Sequence, residues 1–255
     1  MSRLAARVKA LARKLLAPSA SPPRIAGLVF AANHYGAYCV PAAAAHRPAA
    51  QAVLAGRVWE KETVEFMVAR GRAGDIVTAG TFFGDFLPAL SRAVAPRGTV
   101  WAFEPNPENY RAAAITVLLN DLTNVRLVNA ALGARSDTRN LVVRDFAGRA
   151  LGGASQIADI VDEQGPRGAD TVPVAVVAID DVVPETATVA IVQLDVEGFE
   201  EAALAGAVRT IERNRPLLIL ETAPQPGSDV ARRLEALGYR VTRQLSGENV
   251  LFECG

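Results

Sequence analysis

Two glycines and a carboxylate stand where a strand-to-helix turn could hold an adenosine-containing ligand. Gly80 and Gly84 lie in the segment AGTFFGDF (79–86), between an apolar run and a helical pattern. Glycine lets a backbone approach a ligand closely, and the first N–H groups of a helix lack partners within it. Glu104 ends the next apolar run, 20 residues after Gly84, where its carboxylate can accept hydrogen bonds from both hydroxyls of a ribose.

The spacing of these glycines favours one adenosine cofactor over another. The two residues form a GxxxG pattern, whereas the pyrophosphate of a dinucleotide is bound by GxGxxG. S-adenosylmethionine carries an adenosine but no phosphates, so it does not need the second pattern. The sequence therefore favours S-adenosylmethionine, and a Rossmann-like NAD-dependent oxidoreductase stays open as the alternative.

A second acidic constellation follows the apolar run 189–194. Asp195 and Glu197 precede Gly198, which opens a helical pattern. Residues two apart in a strand point to the same side, and carboxylates at the carboxyl end of a strand lie in the ligand crevice of an open α/β sheet. Such groups can orient a sulfonium, act as a general base or bind a divalent metal ion. Glu197 could equally stabilise the helix, whose N-terminus favours negative charge.

The elements that would position these residues are βαβ units. From Asp75 onward, short apolar runs alternate with amphipathic helical patterns, which is typical of a parallel sheet with helices on both faces. A four-residue turn, SGEN, joins the last two strands and predicts a terminal hairpin. We also expect an edge strand at 141–143. The other predicted strands are 75–80, 99–104, 124–130, 189–194, 216–221, 239–245 and 250–253, and the predicted helices are 59–69, 84–95, 107–120, 199–213 and 228–237.

The first 57 residues differ from the rest in charge. Residues 1–59 hold eight basic and no acidic residues, and the remainder holds 19 basic and 27 acidic ones. Leucine and valine recur at helical spacing in the first 18 residues, so this arm could pack on the protein's own surface or contact an anionic membrane or a nucleic acid. We expect a helical or irregular extension over 1–57, with a short strand at 25–30, ahead of a cofactor-binding domain over 58–255.

Composition excludes several other classes of protein. Half of the 255 residues are apolar and 21% are charged, which is enough to bury a core and unlike a disordered or collagenous chain. Cys39 and Cys254 are far apart and outside any metal-binding pattern, which argues against a disulfide scaffold or a zinc ribbon. Apolar runs fall short of the roughly 20 residues of a membrane-spanning helix, so we expect a soluble cytoplasmic protein.

Several segments in combination resemble the FkbM family of S-adenosylmethionine-dependent methyltransferases. The resemblance implies the class I methyltransferase fold, a Rossmann-like α/β fold with a seven-stranded, mostly parallel sheet whose last strand is antiparallel. It also implies methyl transfer to a hydroxyl of a small metabolite, sugar or glycan. The segments, within residues 58–222, are VWEKETVEFM, GTFFGDFLPAL, VWAFEPNPENY, LLNDLTNVRLVNAALG, GGAS, QLDVEGFEEAALAGA and RPLLILET.

The resemblance assigns roles by position. Glu104 is the ribose-binding acid, and Asp195 lies at the junction of cofactor and substrate. The sequence departs from many family members at Thr78, where they have an acidic residue, and at 81–82, where they have Ala-Asn. Residues expected around the methionine moiety are Gly80, Thr81, Gly84 and Asp85, and those expected at the adenine edge are Asn129 and Ala130.

Methyl transfer to oxygen needs an acceptor aligned with the methyl–sulfur bond and a group that takes its proton. The candidate bases are Asp195, Glu197, Glu221 and His34, with His46 as a further histidine. His34 lies in the turn NHYG, from which a lid could bring it over the cofactor. The three carboxylates suit Mg²⁺, yet their spacing gives no complete ligand set, so we assign no metal. The glycine-rich loop 148–155 is either a substrate wall or a linker.

Three alternatives remain at this point. The first is the oxidoreductase, and the second is a non-catalytic member of the fold that acts as a binding partner. The third is a nucleic-acid methyltransferase, which only the basic arm supports. The expected partner is a small-molecule or glycan hydroxyl; a peripheral membrane contact through the arm stays open, and the pattern does not favour nucleic acid.

Overall fold

The structure is a computed structural model that describes residues 24–158 and 170–255. The amphipathic arm lies outside these residues. The strands are Arg24–Ile25 (β1), Leu28–Asn33 (β2), Gly36–Pro41 (β3), Asp75–Ala79 (β4), Val100–Phe103 (β5), Val125–Val128 (β6), Ala131–Leu132 (β7), Asp137–Val142 (β8), Gln156–Ile157 (β9), Thr171–Val177 (β10), Val189–Leu194 (β11), Leu217–Leu220 (β12), Tyr239–Gln244 (β13) and Val250–Cys254 (β14). The α-helices are Pro48–Leu54 (α1), Lys61–Arg70 (α2), Leu87–Val94 (α3), Pro107–Leu119 (α4), Ile179–Val182 (α5), Glu200–Ala205 (α6), Val208–Asn214 (α7) and Asp229–Ala236 (α8).

A central seven-stranded sheet has the order β13-β14-β12-β11-β4-β5-β6. Strands β6, β5, β4, β11 and β12 are parallel, and β14 runs antiparallel between β12 and β13. The central strands are apolar on both faces because buried side chains pack on each side of the sheet. This topology confirms the predicted class I methyltransferase fold, including the terminal hairpin.

Helix α4 begins at the residue that the sequence predicts, at a local signal. Pro107 occupies the first turn of α4, and the Asn106 side chain accepts a hydrogen bond from the backbone N–H of Glu108. The predicted helix 199–213 is instead two helices, α6 and α7. A Cβ on Gly206, between them, would lie 2.0 Å from the carbonyl oxygen of Gly133, so the chain turns there against another backbone.

A second sheet, with the order β7-β10-β8-β9, includes Leu141 and Val142 of the segment 141–143, which the sequence predicts as an edge strand. The predicted edge strand at 141–143 is wrong in its position, because β8 lies between β10 and β9. Strand β8 pairs with β10 over six residues, and its Leu141 and Val142 also pair with β9.

The described part of the N-terminal extension is a three-stranded antiparallel sheet, β1-β2-β3, followed by α1. The expected helical or irregular extension and the single strand at 25–30 are therefore wrong for this part. Ala26 and Gly27 adopt positive φ angles and turn the chain between β1 and β2, which divides the expected strand.

This small sheet docks on helix α4 through its edge strand β3. The Asn120 side chain accepts a hydrogen bond from the N–H of Ala37 at 3.0 Å and donates one to the Ala37 carbonyl at 2.6 Å. Thr116 Oγ1 accepts from the N–H of Cys39 at 3.0 Å. The helix thus satisfies the backbone groups that an edge strand would otherwise leave unpaired. Among the described residues, no helix is long and apolar enough to cross a membrane.

We expect the variant Asn120→Ala to lower the free energy of unfolding by about 1–3 kcal/mol, because it leaves both backbone groups of Ala37 without partners. Urea unfolding measures the loss. The matched control is Asn140→Ala, which removes the same side chain from an exposed position on β8. Equal losses in the two variants would contradict this docking role.

Candidate active site

A cleft with two lobes opens at the carboxyl ends of β4, β5, β11 and β12. The first lobe has a volume of about 180 Å³ and the second of about 30 Å³. The wall shared by the two lobes consists of Gly80, Gly153, Asp195 and Glu197. The cleft therefore lies where an open α/β sheet binds its ligand.

The shared wall depends on a close approach between β4 and β11. Gly80 has a φ of 78°, and a Cβ there would lie 1.7 Å from the carbonyl oxygen of Asp195. The N–H of Asp195 donates to the carbonyl of Ala79 at 3.2 Å. Only glycine allows this approach, which brings the first loop of the sheet beside the Asp195 side chain.

The second lobe is formed by the ends of β5 and β6 and the loop after Gly152. Its lining is mostly apolar, and the Glu104 carboxyl is its buried acidic group, with 3% of the residue exposed. Besides Glu104 and the shared wall, the lining residues are Ala79, Phe103, Pro105, Ala130, Ala131, Leu132, Leu141, Ser155, Ile157, Val196 and Phe199.

Glu104 fixes the loop that follows β4. Its two carboxyl oxygens accept hydrogen bonds from the N–H of Phe82 at 2.7 Å and from the N–H of Asn106 at 2.9 Å. The Asn109 side chain donates to it at 3.3 Å. Burial raises the pKa of Glu104 to about 8, although all three bonds favour the charged form. A carboxylate has about four lone-pair sites, so one site is left for a ligand hydroxyl.

The first lobe combines polar groups on its floor with residues from the N-terminal segment. Thr78 and Gln193, on adjacent strands, are hydrogen-bonded to each other beneath it. Arg47, at the start of α1, and Trp59 reach it from the other side. The described residues include no ion-pair or hydrogen-bond partner for the Arg47 guanidinium.

Five carboxyl groups line the first lobe: Glu60, Asp85, Asp195, Glu197 and Glu221. One oxygen from each of Asp195, Glu197 and Glu221 lies within 4.8 Å of the others, so these three could hold a metal ion. Burial raises the pKa of Asp195 well above its usual range, and the nearby Glu221 carboxylate raises it further. Burial also raises the pKa of Glu197, with Glu221 contributing, while Gln156 and Arg47 oppose the shift.

The remaining two carboxyl groups have raised pKa values as well. Burial, with the charge of Glu60 added, raises the pKa of Asp85 to about 7. Burial raises the pKa of Glu60 to about 7, and Glu221 adds to the shift. Each group thus feels the charge of another, so the lobe strongly favours a positive ligand.

The structure brings most of the predicted site residues into one cleft. Gly84 instead packs behind the loop, against Leu87 and Ala113. Asn129 is exposed and donates to the carbonyl oxygens of Glu104 and Pro105. The residues that line the cleft as predicted are Gly80, Thr81, Asp85, Glu104, Ala130, Asp195, Glu197 and Glu221.

The two histidines lie away from the cleft lining. His34 is exposed in the turn between β2 and β3, where its ring lies tilted against that of Tyr35 with 4.1 Å between the ring centroids. His46 is exposed, and one ring nitrogen lies 3.1 Å from the Ala43 carbonyl. Neither is positioned as a base in this structure.

The sequence did not point to Arg47, Trp59, Glu60, Gln156 or Gln193 as site residues. Glu60 immediately precedes α2, where an acidic residue is ordinarily a helix cap. Its side chain makes no cap, and only the folded chain shows that it faces the cleft. Gln193 could have been identified from the sequence, because it stands two residues before Asp195 on the same predicted strand.

Residues 75–241 match the family model described as the methyltransferase FkbM domain. No protein of curated function matches the chain significantly. Among solved structures, methyltransferase FkbM from Methylobacillus flagellatus is 17% identical with a TM-score of 0.44, over 71% of this chain and 43% of that one. A SAM-dependent methyltransferase from Aquifex aeolicus is 16% identical with a TM-score of 0.40, over 76% and 89%. The chain therefore spans less than half the length of the Methylobacillus protein.

We expect the free energy of unfolding of the ligand-free protein to fall as pH rises from about 4 to 7. The unfolded chain loses the Asp85 proton near the ordinary aspartate pKa of 3.8, whereas the folded protein keeps it up to about 7. Across that window the folded state binds more protons, so stability falls by about 1.4 kcal/mol per pH unit for each such proton.

The variant Asp85→Asn removes this proton difference, so its stability should depend less steeply on pH. Urea unfolding at several pH values measures the slope. Glu248→Gln, which changes an exposed carboxyl group, is the control and keeps the wild-type slope. An unchanged slope in Asp85→Asn would show that Asp85 is charged in the folded protein throughout.

Proposed function

The chain belongs to the methyltransferase FkbM family, and we propose that it transfers a methyl group from S-adenosylmethionine to a hydroxyl of a small molecule. The observation that carries the proposal is the two-lobed cleft, in which Asp195 stands in the wall between a mostly apolar end and an acidic end. A methyltransferase needs this arrangement, because the methyl group must pass between two ligands held side by side.

The residues of the second lobe suit the adenosine of the donor. Glu104 offers an acceptor for a ribose hydroxyl, and the apolar lining that includes Ala130 and Phe199 suits the adenine ring. The lobe is smaller than an adenosine, so its outer wall, at 153–157, has to move outward on binding. The methyl donor supplies a methyl group on a positively charged sulfur, which the acidic wall favours.

The methionine end would lie in the first lobe, beside Gly80, Thr81 and Asp85. Arg47 is the cationic side chain in this lobe; its charge lowers the pKa of Glu197, but its guanidinium forms no hydrogen bond or ion pair with a described residue. We assign it to the carboxylate of the donor, since a guanidinium binds a carboxylate through two parallel hydrogen bonds. Thr78, where many family members have an acidic residue, lies on the floor of the lobe. Its hydroxyl group donates a hydrogen bond to the Gln193 side chain.

Asp195 and Glu221 are the groups best placed to take the acceptor proton. Oxygens of the two carboxyl groups lie within 4.8 Å of each other, and the nearby Glu221 carboxylate raises the pKa of Asp195. A raised pKa brings a carboxylate close to neutrality, where a general base is most effective. The acceptor oxygen attacks the methyl carbon as the carbon–sulfur bond breaks, and its proton passes to this pair. The products are a methyl ether and S-adenosylhomocysteine.

We expect calorimetric titration to show that S-adenosylhomocysteine binds and that NAD⁺ does not. In Arg47→Gln its affinity should fall about ten- to a hundredfold, the value of a charge-assisted hydrogen bond. The affinity for 5′-methylthioadenosine, which lacks the amino-acid end, should not change. Arg57→Gln, an exposed arginine of the same segment, is the matched control.

Binding of NAD⁺ instead would favour the oxidoreductase. Binding of neither ligand would favour a non-catalytic member of the fold. An equal effect of Arg47→Gln on both adenosine ligands would place the guanidinium elsewhere than at the donor carboxylate.

We expect Asp195→Asn to lower kcat at least about a hundredfold, because a positioned base contributes 10²–10⁴ to such a step. Affinity for S-adenosylmethionine should stay within about tenfold, since the loss removes one charge from a wall that holds several. The assay follows release of S-adenosylhomocysteine with the best acceptor from a screen of hydroxylated small molecules. A retained kcat would exclude Asp195 as the base.

A further inference from the structure

The first lobe is lined by more carboxyl groups than the donor can pair with. Five carboxyl groups face it, and Arg47 is the cationic side chain that lines it among the described residues. The proposed donor adds one net positive charge, and its own carboxylate takes up Arg47. Like charges brought together without a counter-charge are costly in a partly buried site. Something positive beyond the donor is therefore expected in this lobe.

The Asp195 side chain supports this expectation independently of the number of acids. It is half-buried in the wall of both lobes, and no described N–H or O–H group donates a hydrogen bond to it. One of its oxygens instead lies within 4.8 Å of an oxygen of Glu221, itself an acid. Polar groups in proteins are ordinarily satisfied, so a carboxyl group that faces other carboxyl groups lacks a donor, which a ligand could supply.

We propose that the acceptor of this enzyme carries a protonated amine, which binds between Glu60 and Glu221 in the first lobe. This inference rests on the proposed function and names its substrate class: a hydroxylated small molecule that is a cation at neutral pH. The amine donates its N–H groups to the carboxylates, which places the nearby hydroxyl of the same molecule beside Asp195.

Glu60 is held for such a contact by the far end of the chain. The Asn249 side chain donates to Glu60 Oε2 at 2.6 Å, from the turn between β13 and β14. The backbone of Glu60 is left-handed, with a φ of 45°, a conformation that costs a non-glycine residue about 1 kcal/mol or more. The Glu60 side chain does not cap α2, so the strained backbone serves to aim the carboxylate at the cleft.

An organic cation accounts for the lining better than a metal ion does. The set within metal-binding distance holds Asp195, Glu197 and Glu221, and it leaves Glu60 and Asp85 unexplained. Trp59, 38% exposed, adds an aromatic face to the same lobe. An indole does not bind Mg²⁺ but attracts an ammonium group over its ring. Acids spread over a wide surface beside an aromatic wall are what an amine requires.

The test uses pairs of probes that differ at one group, with an ammonium in one and a hydroxyl in the other. The pairs are tyramine with tyrosol, and glucosamine with glucose. Each is titrated into the full-length protein, alone and saturated with S-adenosylhomocysteine. In at least one pair we expect the amine to bind at least about tenfold more tightly than its neutral counterpart, the value of a hydrogen bond to a charged group.

Glu60→Gln should reduce this preference about tenfold, and Trp59→Leu should reduce it less. Glu248→Gln, which removes an exposed charge next to Asn249, is the control and should preserve it. Because Glu60→Gln keeps the side-chain shape, its thermal unfolding shows whether the fold is intact. Affinity for S-adenosylhomocysteine in the same samples tests the proposed function separately.

Binding of S-adenosylhomocysteine with no preference for the amine in either pair would overturn this inference alone. The same holds if neither amine binds, if Glu60→Gln leaves the preference intact, or if Mg²⁺ binds and abolishes amine binding. Failure of S-adenosylhomocysteine to bind would instead contradict the proposed function. An amine preference that appears without any nucleoside would then still support a cation site.

Discussion

The contact on which the site depends is the approach of Gly80 to the carbonyl of Asp195. A single methyl group at position 80 would lie 1.7 Å from that oxygen, so the ends of β4 and β11 could not meet as they do. Their meeting places the loop after β4 against the strand that ends in Asp195. The two lobes share this wall. The chemistry is thus set by where two strands end, before any side chain is chosen.

Glu104 converts that strand geometry into a defined loop. It binds the N–H groups of Phe82 and Asn106, which come from segments on either side of the second lobe. A carboxylate with backbone donors on both oxygens keeps the loop in place without a ligand. The same group is the one that the sequence assigns to the ribose. The backbone N–H groups of the loop and a ribose hydroxyl would therefore compete for the lone pairs of Glu104. Because Glu104 is buried, its hydrogen bonds to the backbone are favoured.

The parallel sheet was predictable because its strands are continuous apolar runs that alternate with helical patterns. The second sheet was not, because β7 and β9 are two residues long and their partners are distant in the sequence. The same limit applies to the site. Asp195 and Glu104 end predicted strands, so their places followed from the sheet. Glu60 and Arg47 enter the cleft only because the N-terminal sheet docks on α4 and the terminal turn reaches back to residue 60, contacts that no local pattern encodes.

The carboxyl groups of the first lobe come from these distant segments, and their closeness needs an explanation. Carboxyl groups that repel one another weaken the folded state, so a chain that only had to fold would place them in water. Here the buried Asn249 side chain donates a hydrogen bond to Glu60, and its own Oδ1 has no hydrogen-bond partner among the described residues. The carboxyl groups thus lower the free energy of unfolding at this end of the sheet, whereas the apolar core is packed on both faces. Such a local loss is expected where a ligand of opposite charge completes the structure, because binding then supplies the stability that the empty cleft lacks.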